Sequence, residues 1–226
     1  MRLAALYSGG KDSTLALYLA EQMGHSVEHL VNIAPADPHS WLFHTPNLHL
    51  LPLMAESMGK TLVSVPSRGD EEDDLRALRE ALQRLDIDGV VTGAVASDYQ
   101  WDRINGVCHE LGLKSINPLW RKHPHLVMEE LLASGTEAIV VGVSAEGLDE
   151  RWLGRLLDAS ALQDLKKLEE RHGVNVAGEG GEYESLTLDS PLHRFPIVVD
   201  ASKVAMSQLS GLMRVTAFHA GVRKRT

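Results

Sequence analysis

The chain has 226 residues, 44% of them hydrophobic and 23% charged, enough for one large domain or a main domain with a smaller companion. No apolar run approaches the roughly 20 residues that span a bilayer, and the first residues read as a strand and a glycine turn rather than a secretion signal, so a cytoplasmic location is expected. A formal charge of −9 argues against a broad nucleic-acid groove, and a single cysteine, Cys108, excludes an internal disulfide framework.

Residues 3–7 read as a strand, followed by a glycine turn and a helix over 13–23. A strand over 27–34, a polar loop bearing Pro and His, and a helix over 48–58 come next. Residues 61–65 form a strand, and 75–85 show the i, i+3, i+4, i+7 apolar spacing of a surface helix. The acidic run Glu71, Glu72, Asp73 and Asp74 suits that helix's dipole and is expected as a solvated face. Val90 and Val91 begin a fourth strand, 102–111 a helix and 114–116 a fifth strand. This alternation predicts an α/β fold, a Rossmann-like parallel sheet with helices on both faces.

Beyond a boundary placed at 120/121, residues 121–226 are less regular and predict a smaller C-terminal α+β region. Residues 126–133 and 162–171 read as helices, and 139–143 as a buried strand. A glycine-rich stretch follows 174, then strand-like pieces at 197–200 and 213–218. Lone Cys108, inside a helical pattern, is expected to pack as a small core residue. His123 and His125 flank a proline without metal-ligand partners at a defined spacing.

The chemistry-bearing motif is Tyr7-Ser8-Gly9-Gly10-Lys11-Asp12-Ser13, between the first strand and the first helix. Gly9 and Gly10 permit a tight turn and close ligand approach, and the following N–H groups open a helix whose dipole favours an anion. Lys11 adds a positive charge, and Ser8 and Ser13 add hydroxyls. A Walker A loop fails because Ala5 stands where its first glycine belongs, and a Rossmann G-x-G-x-x-G fails because the glycines are adjacent. The loop Ser-Gly-Gly-Lys-Asp-Ser resembles the PP-loop of N-type ATP pyrophosphatases, of the HUP-type fold. That resemblance implies ATP cleaved to AMP and pyrophosphate, with Mg²⁺ and with Asp12 orienting the loop or the metal.

A second segment, Gly178-Glu179-Gly180-Gly181-Glu182-Tyr183-Glu184-Ser185, interleaves glycines, carboxylates and an aromatic ring. Carboxylates of this kind bind Mg²⁺, an amine or a cationic substrate. Together with Phe43-His44-Thr45-Pro46-Asn47, Gly93-Ala94-Val95-Ala96-Ser97-Asp98-Tyr99-Gln100 with Arg103, Pro118-Leu119-Trp120, and Gly147-Leu148-Asp149 with Leu153-Gly154-Arg155, it resembles the diphthine–ammonia ligase family. The resemblance runs along nearly the whole chain. Trp101, Asn105 and Ser185 depart from it, standing where a basic residue, Glu and Thr are usual.

What the resemblance implies is ATP-dependent amidation of a carboxylate, diphthine on elongation factor 2, through an acyl-adenylate that ammonia attacks. Ser8, Gly9, Gly10, Lys11, Asp12 and Ser13 are then expected to hold the nucleotide, with His44, Asn47 and Gly93 beside it. Tyr99, Arg103, Glu179, Gly180, Gly181 and Tyr183 are expected at the acceptor, with Lys11, Asp12, Glu182 and Glu184 catalytic. The missing cysteines disfavour sulfur transfer. Amidation of a small carboxylic acid and a nucleotide sensor of the universal-stress type stay open as alternatives.

Overall fold

Strand and helix alternate through the first 116 residues, and in the computed structural model, which describes residues 1–36, 47–208 and 210–223, they build one parallel sheet. The elements are β1 (Arg2–Leu6), α1 (Lys11–Gln22), β2 (Ser26–Pro35), a 3-10 turn Leu48–Leu50 leading into α2 (Leu51–Met58), β3 (Thr61–Ser67), α3 (Glu71–Gln83), β4 (Gly89–Val91), α4 (Asp98–Glu110) and β5 (Lys114–Ile116). Strand order is β3-β2-β1-β4-β5, every pairing parallel. The order therefore reverses between β1 and β4, and in such sheets ligands bind beyond the carboxyl ends of the strands at the reversal.

Successive residues of β1 serve opposite faces. Ala4 and Leu6 pack with Ala77, Leu78, Ala81 and Leu82 of α3 and with Ile104, Val107 and Cys108 of α4. Leu3 and Ala5, also buried, point to the other face. Full burial of a leucine such as Leu78 or Leu82 contributes about 1.5–3 kcal/mol, which lets short strands such as β4 hold their place. Cys108 is 1% exposed, as a packing residue should be, and burial pushes its thiol up to about 11.

Three local expectations are corrected. Helix α1 starts at Lys11, two residues before the sequence pattern suggested, so the lysine is part of the first turn. The segment 48–58 is a 3-10 turn followed by a helix, because Pro52 in the first turn fixes where the α-helix begins. The acidic run is only half a solvated face, with Glu71 and Glu72 exposed and the next two acids buried. Asp73 and Asp74 are 5% and 1% exposed, Asp73 accepting from the Arg68 amide at 2.8 Å and Asp74 from the Ser67 hydroxyl, while Asp70 caps the helix through the Asp73 amide at 3.0 Å. The turn from β3 into α3 is built on those carboxylates.

Contacts divide the chain into two compact units, residues 1–8 with 12–121, and residues 9–11 with 122–226. The second unit contains α5 (Pro124–Ala133), β6 (Glu137–Val143), a 3-10 turn Glu150–Trp152, α6 (Ala159–His172), β7 (Tyr183–Asp189), β8 (Ile197–Met206) and β9 (Gly211–Ala220). Its sheet is antiparallel, ordered β7-β6-β9-β8. Sequence pattern foresaw β6 and fragments of β8 and β9 but not β7, whose glycine-rich approach hid it. Among the described residues no helix is long and apolar enough to cross a membrane.

Between β7 and β8, His193 is 2% exposed and its Nδ1 lies 2.7 Å from the Ser190 hydroxyl. Burial is the main cause that lowers its pKa from 6.5 to about 4, with Asp189 pulling it up and Arg223 pushing it down. The folded state thus prefers the neutral ring, and stability present above pH 6.5 is lost as the pH falls toward about 4. His193→Gln is expected to lower Tm at neutral pH and to flatten the fall of Tm between pH 6.5 and pH 4, as thermal unfolding across that range would register.

Candidate active site

The loop after β1 lies at the carboxyl end of the central strand, where the sheet order reverses. Gly9 has φ +81°, the left-handed region that favours glycine, so the turn needs that residue. The Ser8 amide and hydroxyl approach the Ser13 hydroxyl at 3.4 and 3.3 Å, which folds the loop over the first turn of α1.

The middle of the loop bonds to β7 and the segment before it. The Thr187 amide donates to the Gly9 carbonyl at 2.8 Å, and the Lys11 amide donates to the Ser185 hydroxyl at 3.1 Å. Lys11 is 2% exposed; its ammonium donates to the Ala177 carbonyl at 2.6 Å and sits 5.4 Å from the centre of the Tyr183 ring. Removing an ammonium from water costs several kcal/mol, which the carbonyl and the ring's negative face offset. The segment that carries the expected acceptor residues is therefore bonded to the glycine loop itself.

That segment is shaped by its own residues. Glu182 accepts from the Gly180 amide at 2.8 Å and from the Asn175 amide at 3.1 Å, so its carboxylate closes the turn. The Tyr183 hydroxyl donates to the Val176 carbonyl at 2.8 Å and fixes the ring. Gly178, at φ +74°, makes room for that ring: a Cβ there would lie 2.9 Å from Tyr183 Cε1. Gly181 is also left-handed, at φ +81°, and Gly180 admits the Glu182 carboxylate, whose Oε1 a Cβ would meet at 2.7 Å. Glu179 and Glu182 are in the turn, whereas Glu184 lies on β7 opposite Gly142, where a Cβ would come within 3.0 Å of Glu184 Cβ.

Gly93 follows β4 and packs against the first turn of α1. A Cβ at Gly93 would lie 2.7 Å from the Ser13 nitrogen and 2.8 Å from the Asp12 carbonyl carbon, so the glycine admits the backbone of α1's first turn. Asp12 is half-buried in that turn. Asn47 is 6% exposed with φ +61°, directly before the 3-10 turn; His44 lies outside the described residues.

Tyr99 and Arg103 share a face of α4 as their spacing required, but they are engaged by Glu71 of α3. The Tyr99 hydroxyl donates to Glu71 at 2.6 Å, Arg103 Nε pairs with Glu71 at 3.0 Å, and the guanidinium lies 3.6 Å from the Tyr99 ring centre. The Tyr99 hydroxyl first, then Arg103, holds Glu71 below the usual carboxylate range. Glu71 had been read as part of a solvated face, and its N-terminal place on α3 gave no sign of this cluster. Ala177, through its carbonyl, and Thr187, through its amide, were likewise missed, since any residue can supply a backbone group. Trp101 stacks on Trp120, ring centres 5.3 Å apart.

The loop offers two Cβ-free residues, an opening helix, two hydroxyls and a buried ammonium, a donor set that fits a polyphosphate. Among the described residues no group of three or more His, Cys, Asp or Glu side chains gathers to hold a metal. Gly93→Ala is expected to lower Tm by several degrees and to cut nucleotide affinity, while Cys108→Ser leaves affinity within about threefold; thermal shift with and without nucleotide would separate the two.

Two family models together match nearly the whole chain: the diphthamide synthase N-terminal domain over residues 1–115 and the diphthamide synthase C-terminal domain over residues 123–219. A diphthine–ammonia ligase of Danio rerio is 36% identical over 97% of this chain and 96% of its own length. Those of Homo sapiens and Mus musculus are 35% and 37% identical, each over 91% of this chain and 85% of their own. A solved structure described as a predicted subunit of tRNA methyltransferase from Methanocaldococcus jannaschii aligns at TM-score 0.47 and 15% identity over 84% of this chain and 98% of that one, a likeness that says nothing of activity.

Proposed function

The chain belongs to the diphthamide synthase family, and from that premise we propose that it is an ATP-dependent ligase that converts a carboxylate to an amide with ammonia, the carboxylate being that of diphthine on elongation factor 2. The observation that carries the reading is the glycine loop after β1, whose Lys11 ammonium is buried against the Ala177 carbonyl and the Tyr183 ring. ATP supplies the adenylyl group: a carboxylate oxygen bonds to the α-phosphorus as pyrophosphate leaves, and ammonia then bonds to the acyl carbon as AMP leaves.

The protein's part is to hold charge and geometry. Gly9 and Gly10 let the backbone reach the β- and γ-phosphates, and the first turn of α1 presents amides to them. Lys11, already desolvated, stabilises negative charge as the α,β-bond breaks without reorganising water. Asp12 is the carboxylate that would hold Mg²⁺, which commonly uses one or two protein carboxylates with substrate phosphates. Glu184, on the strand that bonds the loop, serves the acceptor or takes a proton from ammonium. Glu182 acts through the turn it closes. The enzyme works in the cytoplasm, where its protein acceptor is made.

Product analysis is the first test: turnover with ATP, ammonia and the unamidated factor yields AMP and pyrophosphate, whereas ADP and inorganic phosphate alone overturn the reading. Lys11→Ala is expected to lower kcat by roughly 10²-fold or more, and a loss under about threefold removes its catalytic role. Glu184→Gln should reduce amide formation by roughly 10²-fold with nucleotide affinity preserved. Glu182→Gln should lower Tm as well as turnover, because an amide group placed against two backbone donors reopens the turn; calorimetry with a non-hydrolysable ATP analogue beside an amidation assay distinguishes the two glutamates.

A further inference from the structure

We propose that the β8–β9 hairpin is a docking ribbon for an acidic, extended segment of a protein partner, which adds to the free edge of β8 and pairs its carboxylates with Lys203 and Arg214. The inference rests on the reading above that the acceptor is carried on a protein.

Four observations within the second unit lead there. First, β8 closes the sheet on one side, and among the described residues no strand pairs with its outer edge. Every residue from 201 to 208 is exposed, so the distal half of this ten-residue strand offers water both faces and a row of unpaired backbone groups. Proteins commonly blunt such edges, and an edge left open is a template for another strand.

Second, Lys203 stands directly opposite Arg214 in the β8–β9 register. Like charges facing each other across two strands destabilise the pair, with Cβ atoms about 4.5–5.5 Å apart. Among the described residues neither cation has an ion pair, although the chain carries a net charge of −9. An uncompensated cationic pair in an acidic protein favours an anionic partner. Two cations are too few to neutralise a run of nucleic-acid phosphates, which leaves carboxylates on a protein.

Third, the same end of the hairpin is apolar. Val204, Met206 and Leu212 remain 44, 43 and 43% exposed, and Leu212 lies on the face of Arg214, two residues away. An occupant that alternates carboxylates with apolar side chains matches both features.

Fourth, the hairpin is in register with the candidate site. Met206 pairs with Gly211, Gly211 with Val143 and Val143 with Tyr183; one row along, Ala205 pairs with Leu212, Leu212 with Gly142 and Gly142 with Glu184. Three strand spacings, about 14 Å, thus separate the β8 edge from the strand of Tyr183 and Glu184. A segment seated on β8 positions the rest of its protein within reach of those residues.

The test uses the full-length protein and elongation factor 2 carrying the unamidated acceptor. Hydrogen–deuterium exchange should show amides 201–206 protected when the factor is added. The double variant Lys203→Glu with Arg214→Glu, both exposed and away from the loop, should keep its Tm and its affinity for ATP. It should lose that protection and bind the factor ~10-fold or more weakly, while added salt weakens the wild type more than the variant. Unchanged protection and affinity in the double variant overturn the proposal. So does protection by a 20-nucleotide single-stranded RNA in place of the factor, or protection that tracks self-association in sedimentation velocity. Protection without amide formation retains the docking ribbon and sinks the reaction reading; amide formation indifferent to the double variant does the reverse.

Discussion

The contact on which the second unit's site depends is the buried ammonium of Lys11 on the Ala177 carbonyl, with the Tyr183 ring beside it. A lysine 2% exposed cannot keep its hydration shell, so its surroundings must be built for it. They are built by glycine. Gly178 lets the Tyr183 ring lie where a Cβ would collide, and the hydroxyl of that ring, bonded to the Val176 carbonyl, holds it still. Glu182 ties the Asn175 and Gly180 amides together and so fixes the strand's approach. The acidic glycine segment is therefore first a cradle for a lysine, and only Glu184 among its carboxylates lies on the strand proper.

The parallel sheet was legible because its signals are local and periodic. Short apolar runs separated by amphipathic helices admit one architecture, and Gly-Gly-Lys after a strand marks one kind of loop. What escaped the reading was carried by backbone groups or by contacts distant in sequence. Ala177 and Thr187 act through a carbonyl and an amide, which no residue type announces. Gly93 was read as space for a ligand, and the structure shows that it also makes room for the backbone of Asp12 and Ser13. Both are close-approach roles, and sequence alone does not say what approaches.

Charge patterning misled for a related reason. Four consecutive acids in the first turn of a helix are normally solvated, yet here Asp73 and Asp74 are buried acceptors for the turn and Glu71 is bonded to Tyr99 and Arg103. The helix N-terminus tolerates the charge, and tertiary donors from α4 and from the β3 turn then claim it. Conversely, the spacing of Tyr99 and Arg103 did predict a shared face, but the cation–π stack and the common partner Glu71 show the pair satisfied from within its own unit. A side chain's donors can be legible in sequence while their destination is not.

The antiparallel sheet links Glu184 to the exposed end of the β8–β9 hairpin. Its inner strand β6 is buried along almost its whole length, so β7 and β9 are held on either side by a rigid spacer. Gly142 sits in that spacer because a Cβ would press on Glu184, and it pairs outward with Leu212 at the root of the exposed end of the hairpin. The side-chain period of a strand is two, so Glu184 and the residues in its row are fixed in register to one another. Displacing β9 along β6 by one residue would turn Met213 and Val215, 7% and 1% exposed, out of the core, a cost the sheet resists. The strand that meets the outside and the strand that meets Lys11 are thereby held in register through β6 and β9 by hydrophobic burial.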